Sequence, residues 1–228
     1  MESNFKKYAI IVAGGKGSRM ENDLPKQLLL LNNKPVILYS LQRFINYDSE
    51  IILIVVIHES LRDRFKELLI QHNFKHPIQL VNGGETRFHS VKQGLDCITG
   101  EGVVGIHDAA RPLVSFDTIS RSYNTAFEKG NAVPSIKVTE SLRVTDLDSN
   151  AAVDRNAFRV IQTPQCFKVS LIKKAFEVNY SLSFTDDATV LEFSGEKINL
   201  VEGNPENIKI TLPLDLTIAE ALMTINKK

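Results

Sequence analysis

The chain has 228 residues, 43% of them hydrophobic and 24% charged, which suits one globular domain with or without a protruding element. Lys plus Arg and Asp plus Glu number 27 each, so the formal net charge is zero. No overall basic field points to nucleic acid or a membrane surface, and any anion site must be a local cluster of Lys and Arg.

The N-terminal MESNFKK precedes an apolar run too short for a signal-peptide core or a membrane span, so a soluble, cytoplasmic protein is expected. Residues 8–13 (YAIIVA) form a continuous apolar run ending in a glycine loop, the pattern of a buried parallel strand. Residues 51–57 (IILIVVI) and 103–108 (VVGIHD) repeat it. Between them, segments 35–46, 59–72 and 85–98 carry apolar residues at helical spacing. Cys97, in the last of these, and Cys166 match no metal spacing. Strand, loop and helix alternate, which predicts an α/β fold: a Rossmann-like, mostly parallel twisted sheet flanked by helices. Ligands in such folds sit beyond the carboxyl ends of the strands, where the glycine loops at 14–17 and 83–84 and the HDAARP segment at 107–112 all fall.

Residues 131–165 alternate β-branched and polar side chains around a DLDSN turn. This predicts two antiparallel strands standing off the main sheet, a β-arm at about 137–158 within a single domain spanning 1–228. An isolated hairpin is marginal in water, so an arm of this length is expected to pack on a partner subunit. Beyond it, LIKKAFEV and DDATVLEFSG read as helical, KINLVEG and NIKIT as extended, and PLDLTIAEALMTI as a last helix with Pro213 in its first turn.

The first loop, AGGKGSRMENDLPKQ (13–27), contains Gly15-x-Gly17, but Met20 stands where a dinucleotide fingerprint needs a third glycine or alanine. A GxxxxGK[ST] spacing is missing as well. A tight turn is the plain alternative. The combination nevertheless favours a polyphosphate site: glycines let backbone N–H groups approach phosphate oxygens, and Arg19 and Lys26 bring charge to the same place.

This loop resembles the GxGxRMxxxxPKQ signature of sugar-phosphate nucleotidyltransferases. NGGETRFHSVKQGL (82–95), HDAARPL (107–113), VDRNAFRVIQTPQCF (153–167), FTDDATVLE (184–192) and VEGNPENIKIT (201–211) follow in order. Together they resemble the 2-C-methyl-D-erythritol 4-phosphate cytidylyltransferase family over nearly the whole chain. The resemblance implies cytidylyl transfer from CTP to 2-C-methyl-D-erythritol 4-phosphate with release of pyrophosphate, in non-mevalonate isoprenoid biosynthesis. It also implies Mg²⁺ arriving with CTP and a homodimer formed through the arm.

Carried over residue by residue, it makes Arg19, Lys26 and Lys209 catalytic. Ala13, Gly14, Gly15, Gly17, Gly84, Glu85, Ser90 and Asp108 become nucleotide-binding, with Arg87 in support. Asp108, Ala109, Arg111, Ser141, Arg155, Thr163 and Lys209 face the sugar phosphate. The chain departs from the usual pattern with Gly14 for alanine, Glu140 for aspartate and Ser141 for threonine. His107 reads as a satisfied strand-end histidine. Asp186 and Asp187 stay between helix capping and a supporting role, outside the site, and Lys16 has no assigned role.

The chemistry needs no general base. A phosphate monoester has a second pKa of about 6 and is mostly ionised at neutral pH. The obstacle is a dianion meeting a polyanion, which positioning and positive charge address. The rival readings are a ribitol-5-phosphate cytidylyltransferase, and less favourably a nicotinamide-binding oxidoreductase or a non-catalytic nucleotide-binding module.

Overall fold

A computed structural model describes residues 5–14, 25–146 and 148–225. Strand β1 (Lys7–Ala13) leads through a short 3-10 turn, Lys26–Leu28, to the small ribbon β2 (Leu30–Leu31) and β3 (Lys34–Pro35). Helix α1 (Val36–Tyr47), β4 (Ile52–Ile57), α2 (Arg62–Gln71), β5 (Ile78–Asn82), α3 (Arg87–Asp96) and β6 (Val103–Asp108) follow. Strand β1 is central: β4 and β6 flank it, both parallel to it, and β5 extends the sheet beyond β4.

Side chains of β1 alternate between two cores, which explains its unbroken apolar run. Ala9 and Ile11 pack with Leu41, Phe44 and Phe65 of α1 and α2 on one face. Tyr8 and Ile10 pack with Phe88, Val91 and Leu95 of α3 on the other. Both phenylalanines of the first face are fully buried. Each such side chain contributes roughly 1.5–3 kcal/mol relative to exposure.

Helix α4 (Phe116–Lys129) is bounded by chemistry the sequence carries. Ser115 Oγ accepts from Thr118 N at 3.1 Å at its start, and Gly130, at φ 95°, ends it. It adds Ile119, Tyr123 and Ala126 to the α1 face.

The chain then continues through β7 (Asn131–Lys137), β8 (Leu142–Thr145), β9 (Asn150–Val153), β10 (Arg159–Ile161) and β11 (Gln165–Lys168). Not all of the 131–165 stretch leaves the main sheet. Strand β7 lies in the main sheet, with its first five residues buried. It pairs antiparallel with β10 and β11, and β11 joins it to β6. Between β7 and β10, strands β8 and β9 pair with each other as a separate two-stranded ribbon, so 142–153, within the expected 137–158, stands off while 131–137 and 159–168 do not. The turn of that ribbon is held by Asp146, whose carboxylate accepts from Ser149 N at 2.8 Å.

Helices α5 (Val169–Ala175) and α6 (Asp187–Phe193) cover the α3 face. Strand β12 (Leu200–Glu202) runs parallel to β7, and α7 (Pro213–Ile225) closes the described chain. The NIKIT segment, expected to be extended, adopts no strand; Ile210 N instead donates to Ala110 O at 2.9 Å. The fold is therefore α/β with a mixed, mostly parallel sheet between helices. No helix among the described residues is long and apolar enough to cross a membrane.

Candidate active site

Because β4 and β6 leave β1 on opposite sides, their connections diverge and open a crevice at the carboxyl end of β1. A cleft of about 820 Å³ lies there. Its walls come from the ends of β1 (Ala13, Gly14), β4 (His58) and β6 (Asp108, Ala109, Ala110), from the loop into α3 (Gly83 to Ser90) and from Lys209.

The loop before α3 is shaped by crowding. A Cβ on Gly84 would lie 2.5 Å from that of His89 and 3.1 Å from its carbonyl carbon, so no side chain fits. Thr86 caps α3, and Ser90 Oγ donates to Thr86 O at 3.0 Å while accepting from Gly84 N at 3.1 Å. The Ser90 hydroxyl is thus occupied in holding the loop. A Cβ on Gly14 would meet that same oxygen at 2.8 Å, so an alanine there requires Ser90 to move.

Asp108 is the electrostatic centre. Its Oδ2 lies 2.8 Å from Lys209 Nζ and 3.4 Å from Arg111 Nε, and its Oδ1 is 3.5 Å from Arg87 Nε. Burial alone would raise its pKa, but Arg87, Lys209 and Arg111 outweigh that and hold the carboxyl well below the usual carboxylate range. Arg87 and Lys209 are 28% and 38% exposed, so both cations remain open to the cleft. Arg111, 13% exposed, donates Nη1 to Asn207 O at 2.8 Å, fastening the segment that carries Lys209.

Behind Asp108 a polar ring closes. Thr163 Oγ1 accepts from Asp108 N at 3.1 Å and donates to His107 Nδ1 at 3.0 Å, while His107 Nε2 donates to Arg111 O at 3.0 Å. Asn207 Nδ2 donates to Thr163 O at 2.8 Å. With both ring nitrogens engaged and no exposure, burial lowers the His107 pKa to about 4. This histidine is structural, as its strand-end position predicts.

The comparisons with known proteins agree with this geometry. Residues 8–225 match the family model described as IspD, 2-C-methyl-D-erythritol 4-phosphate cytidylyltransferase. The protein of that name from Phocaeicola vulgatus is 44% identical, covering 96% of this chain and 100% of its own length. Its Bacteroides fragilis counterpart is 45% identical over 94% and 98%. The crystal structure of 4-diphosphocytidyl-2C-methyl-D-erythritol synthase from Anaerococcus prevotii superposes with a TM-score of 0.81 at 27% identity, covering 96% of this chain and 99% of that one. The chain belongs to the 2-C-methyl-D-erythritol 4-phosphate cytidylyltransferase family.

For this family member the cleft gathers Ala13, Gly14, Gly84, Glu85, Asp108, Ala109 and Lys209, with Ser90 behind the loop. Gly15, Gly17 and Arg19 lie outside the described residues, as does Lys16. Lys26 opens the 3-10 turn after that gap. Arg111 and Thr163 are not among the cleft-lining residues; each contacts Asp108, Arg111 through Nε and Thr163 through Oγ1. Ser141 and Arg155 are exposed at the base of the ribbon and do not line the cleft, and Arg155 donates to Thr139 O.

Sequence reasoning missed Gln27, which lines the cleft and donates to Ala13 O at 2.7 Å, and His58. It also left out Asp187, whose carboxylate takes both Arg87 Nη atoms at 2.8 and 2.6 Å. The doubled aspartate before an apolar helix was the available signal. Asp186 caps α6, and a second carboxylate turned inward needs a cation.

Proposed function

We propose that the chain transfers the cytidylyl group of CTP to 2-C-methyl-D-erythritol 4-phosphate. The products are pyrophosphate and 4-diphosphocytidyl-2-C-methyl-D-erythritol, in isoprenoid biosynthesis. The observation that carries the reading is the pair of cations, Arg87 and Lys209, held around Asp108 at the switch point of a sheet whose whole length matches the family.

In this reading CTP enters with its base against Gly84, Glu85 and the Ser90-braced loop and its phosphates toward Ala13 and Gly14. Gly15, Gly17, Arg19 and Lys26 follow in sequence at that end. The acceptor phosphate is already an anion, so the protein's task is to hold two anions in line and neutralise charge building at the α-phosphorus. Lys209 and Lys26 serve that charge. Asp108 keeps Lys209 extended across the cleft and, with Ala109, faces the ribose and the acceptor. Displacement is direct, with no covalent enzyme intermediate.

Among the described residues no group of three or more His, Cys, Asp or Glu could hold a metal ion. Asp108 and Glu85 are the carboxylates that line the cleft and would be available to an ion arriving with CTP. Mg²⁺, when bound, would withdraw negative charge from the phosphates.

The enzyme works as a cytoplasmic homodimer in which the β8–β9 ribbon brings Ser141 and Arg155 to the partner's acceptor site. Exposed Val144, Phe158 and Val160, on and beside the ribbon, support this, since together they leave apolar surface for a second subunit.

The test is pyrophosphate release with CTP and Mg²⁺ and either acceptor. Turnover with 2-C-methyl-D-erythritol 4-phosphate well above that with ribitol 5-phosphate is expected, and the reverse would reject the acceptor assignment. Thermal protection by NAD but not by CTP–Mg²⁺ would reject the nucleotide.

A further inference from the structure

Arg87 lies between two carboxylates. Asp187 takes Nη1 and Nη2 in a fork, which leaves only Nε for Asp108 Oδ1, at 3.5 Å. Asp108 Oδ2 consequently remains with Lys209 and Arg111. Asp187 itself is 1% exposed, so its charge has no solvent to turn to.

The helix presenting it is anchored from below. Gln165 Nε2 donates to Asp186 Oδ2 at 2.8 Å, and Gln165 Oε1 accepts from Ala188 N at 2.9 Å. A rigid line therefore runs from β11 through α6 and Asp187 to Arg87 and the cleft.

We infer that Asp187 is a positioning residue for the transfer, holding the Arg87 guanidinium off Asp108 so that Lys209 keeps Asp108 Oδ2 and stays extended into the cleft. A bidentate carboxylate–guanidinium pair fixes both distance and plane, which a lone charge does not. Without the fork, Arg87 turns its Nη atoms to the nearest remaining carboxylate and competes with Lys209 for it. The inference rests on the cleft being the nucleotide site.

The experiment compares Asp187→Asn, Arg87→Ala, the double variant and Lys209→Met in steady-state kinetics, with CTP–Mg²⁺ binding measured separately. Misplacing a reacting group by about 1 Å costs on the order of 100-fold, so Asp187→Asn is expected to lose about 10- to 100-fold in kcat. Its CTP–Mg²⁺ affinity should change less than about threefold, a split that a purely structural role would not produce. On the Arg87→Ala background the same substitution should add little, because its effect runs through Arg87.

Wild-type kcat in Asp187→Asn while Lys209→Met is impaired overturns the inference alone. A full Asp187→Asn loss persisting without Arg87 also overturns it. Wild-type rates in both Asp187→Asn and Lys209→Met reject the cleft reading itself. Should Asp187→Asn not fold, Arg87→Lys decides, since it keeps the charge and loses the fork. The same kcat loss supports the inference and wild-type constants overturn it.

Discussion

Lys209 Nζ sits 2.8 Å from Asp108 Oδ2, although the lysine comes from an irregular segment and the aspartate ends a central strand. The lysine is 38% exposed and the carboxylate 11%, so the pair presents positive charge to the cleft and buries the negative partner. Removing one transition-state donor costs about 100- to 1000-fold. Lys209→Met is expected to lose kcat in that range. Arg87 and Arg111 still compensate Asp108, so the fold should survive, as near-UV circular dichroism would report.

Gly84 has no room for a side chain. Gly84→Ala would drive a methyl to 2.5 Å from His89 Cβ, and relieving such overpacking costs about 1–3 kcal/mol. The loop shaped by Ser90 would shift with it. CTP–Mg²⁺ affinity, read by calorimetry, is expected to fall roughly 5- to 150-fold, the range that cost converts to. Unchanged affinity would remove this loop from the nucleotide site.

His107 makes stability depend on pH. Its folded pKa, about 4, lies below the unfolded value of 6.5, so between these the unfolded chain binds the extra proton. Its contribution is therefore constant above about pH 6.5 and stability is lost as pH falls toward 4. Between pH 7 and 5 this amounts to about 2 kcal/mol. Asp108, depressed instead, loses its contribution only below the usual aspartate range, and Asp187, raised by burial against the pull of Arg87, runs the opposite way. Urea denaturation of wild type and His107→Gln at both pH values isolates the histidine. The variant should start less stable and lack this part of the slope.

Arg155 is solvent-exposed and outside the cleft. Arg155→Ala is expected to raise KM for 2-C-methyl-D-erythritol 4-phosphate by tenfold or more, since a hydrogen bond to a charged group contributes about 1.5–3 kcal/mol. CTP affinity should not move. Equal losses for both substrates would make the ribbon a structural element only.

What the sequence disclosed depended on how far each feature reaches. The apolar runs now seen as β1, β4 and β6 are local signals, and the cleft lies at their carboxyl ends as their order predicts. Strand β7 misled because Pro134 and alternating polar residues imitate an exposed ribbon. In the fold it gains pairing on both sides only when β10, β11 and β12 arrive. The family motifs pointed to Lys209 and Asp108, while the Arg87–Asp187 fork joins residues 100 positions apart, so the paired aspartates signalled the need for a cation but not which one. Residue types along a strand report burial, but the choice of partner for a buried carboxylate is made by topology.

The ring behind Asp108 also sets a timetable. Arg111 and Asn207 are 96 positions apart, so at 5–20 residues per second the ribosome needs about 5–20 seconds to supply the second after the first. During that interval β1, β4 and β6 can already pair, yet Asp108 lacks its nearest cation and Thr163 lacks the amide that Asn207 provides. A nascent chain can thus build most of the cleft's walls long before Lys209 joins them. The cation set around Asp108 is therefore completed late in synthesis rather than growing evenly with chain length.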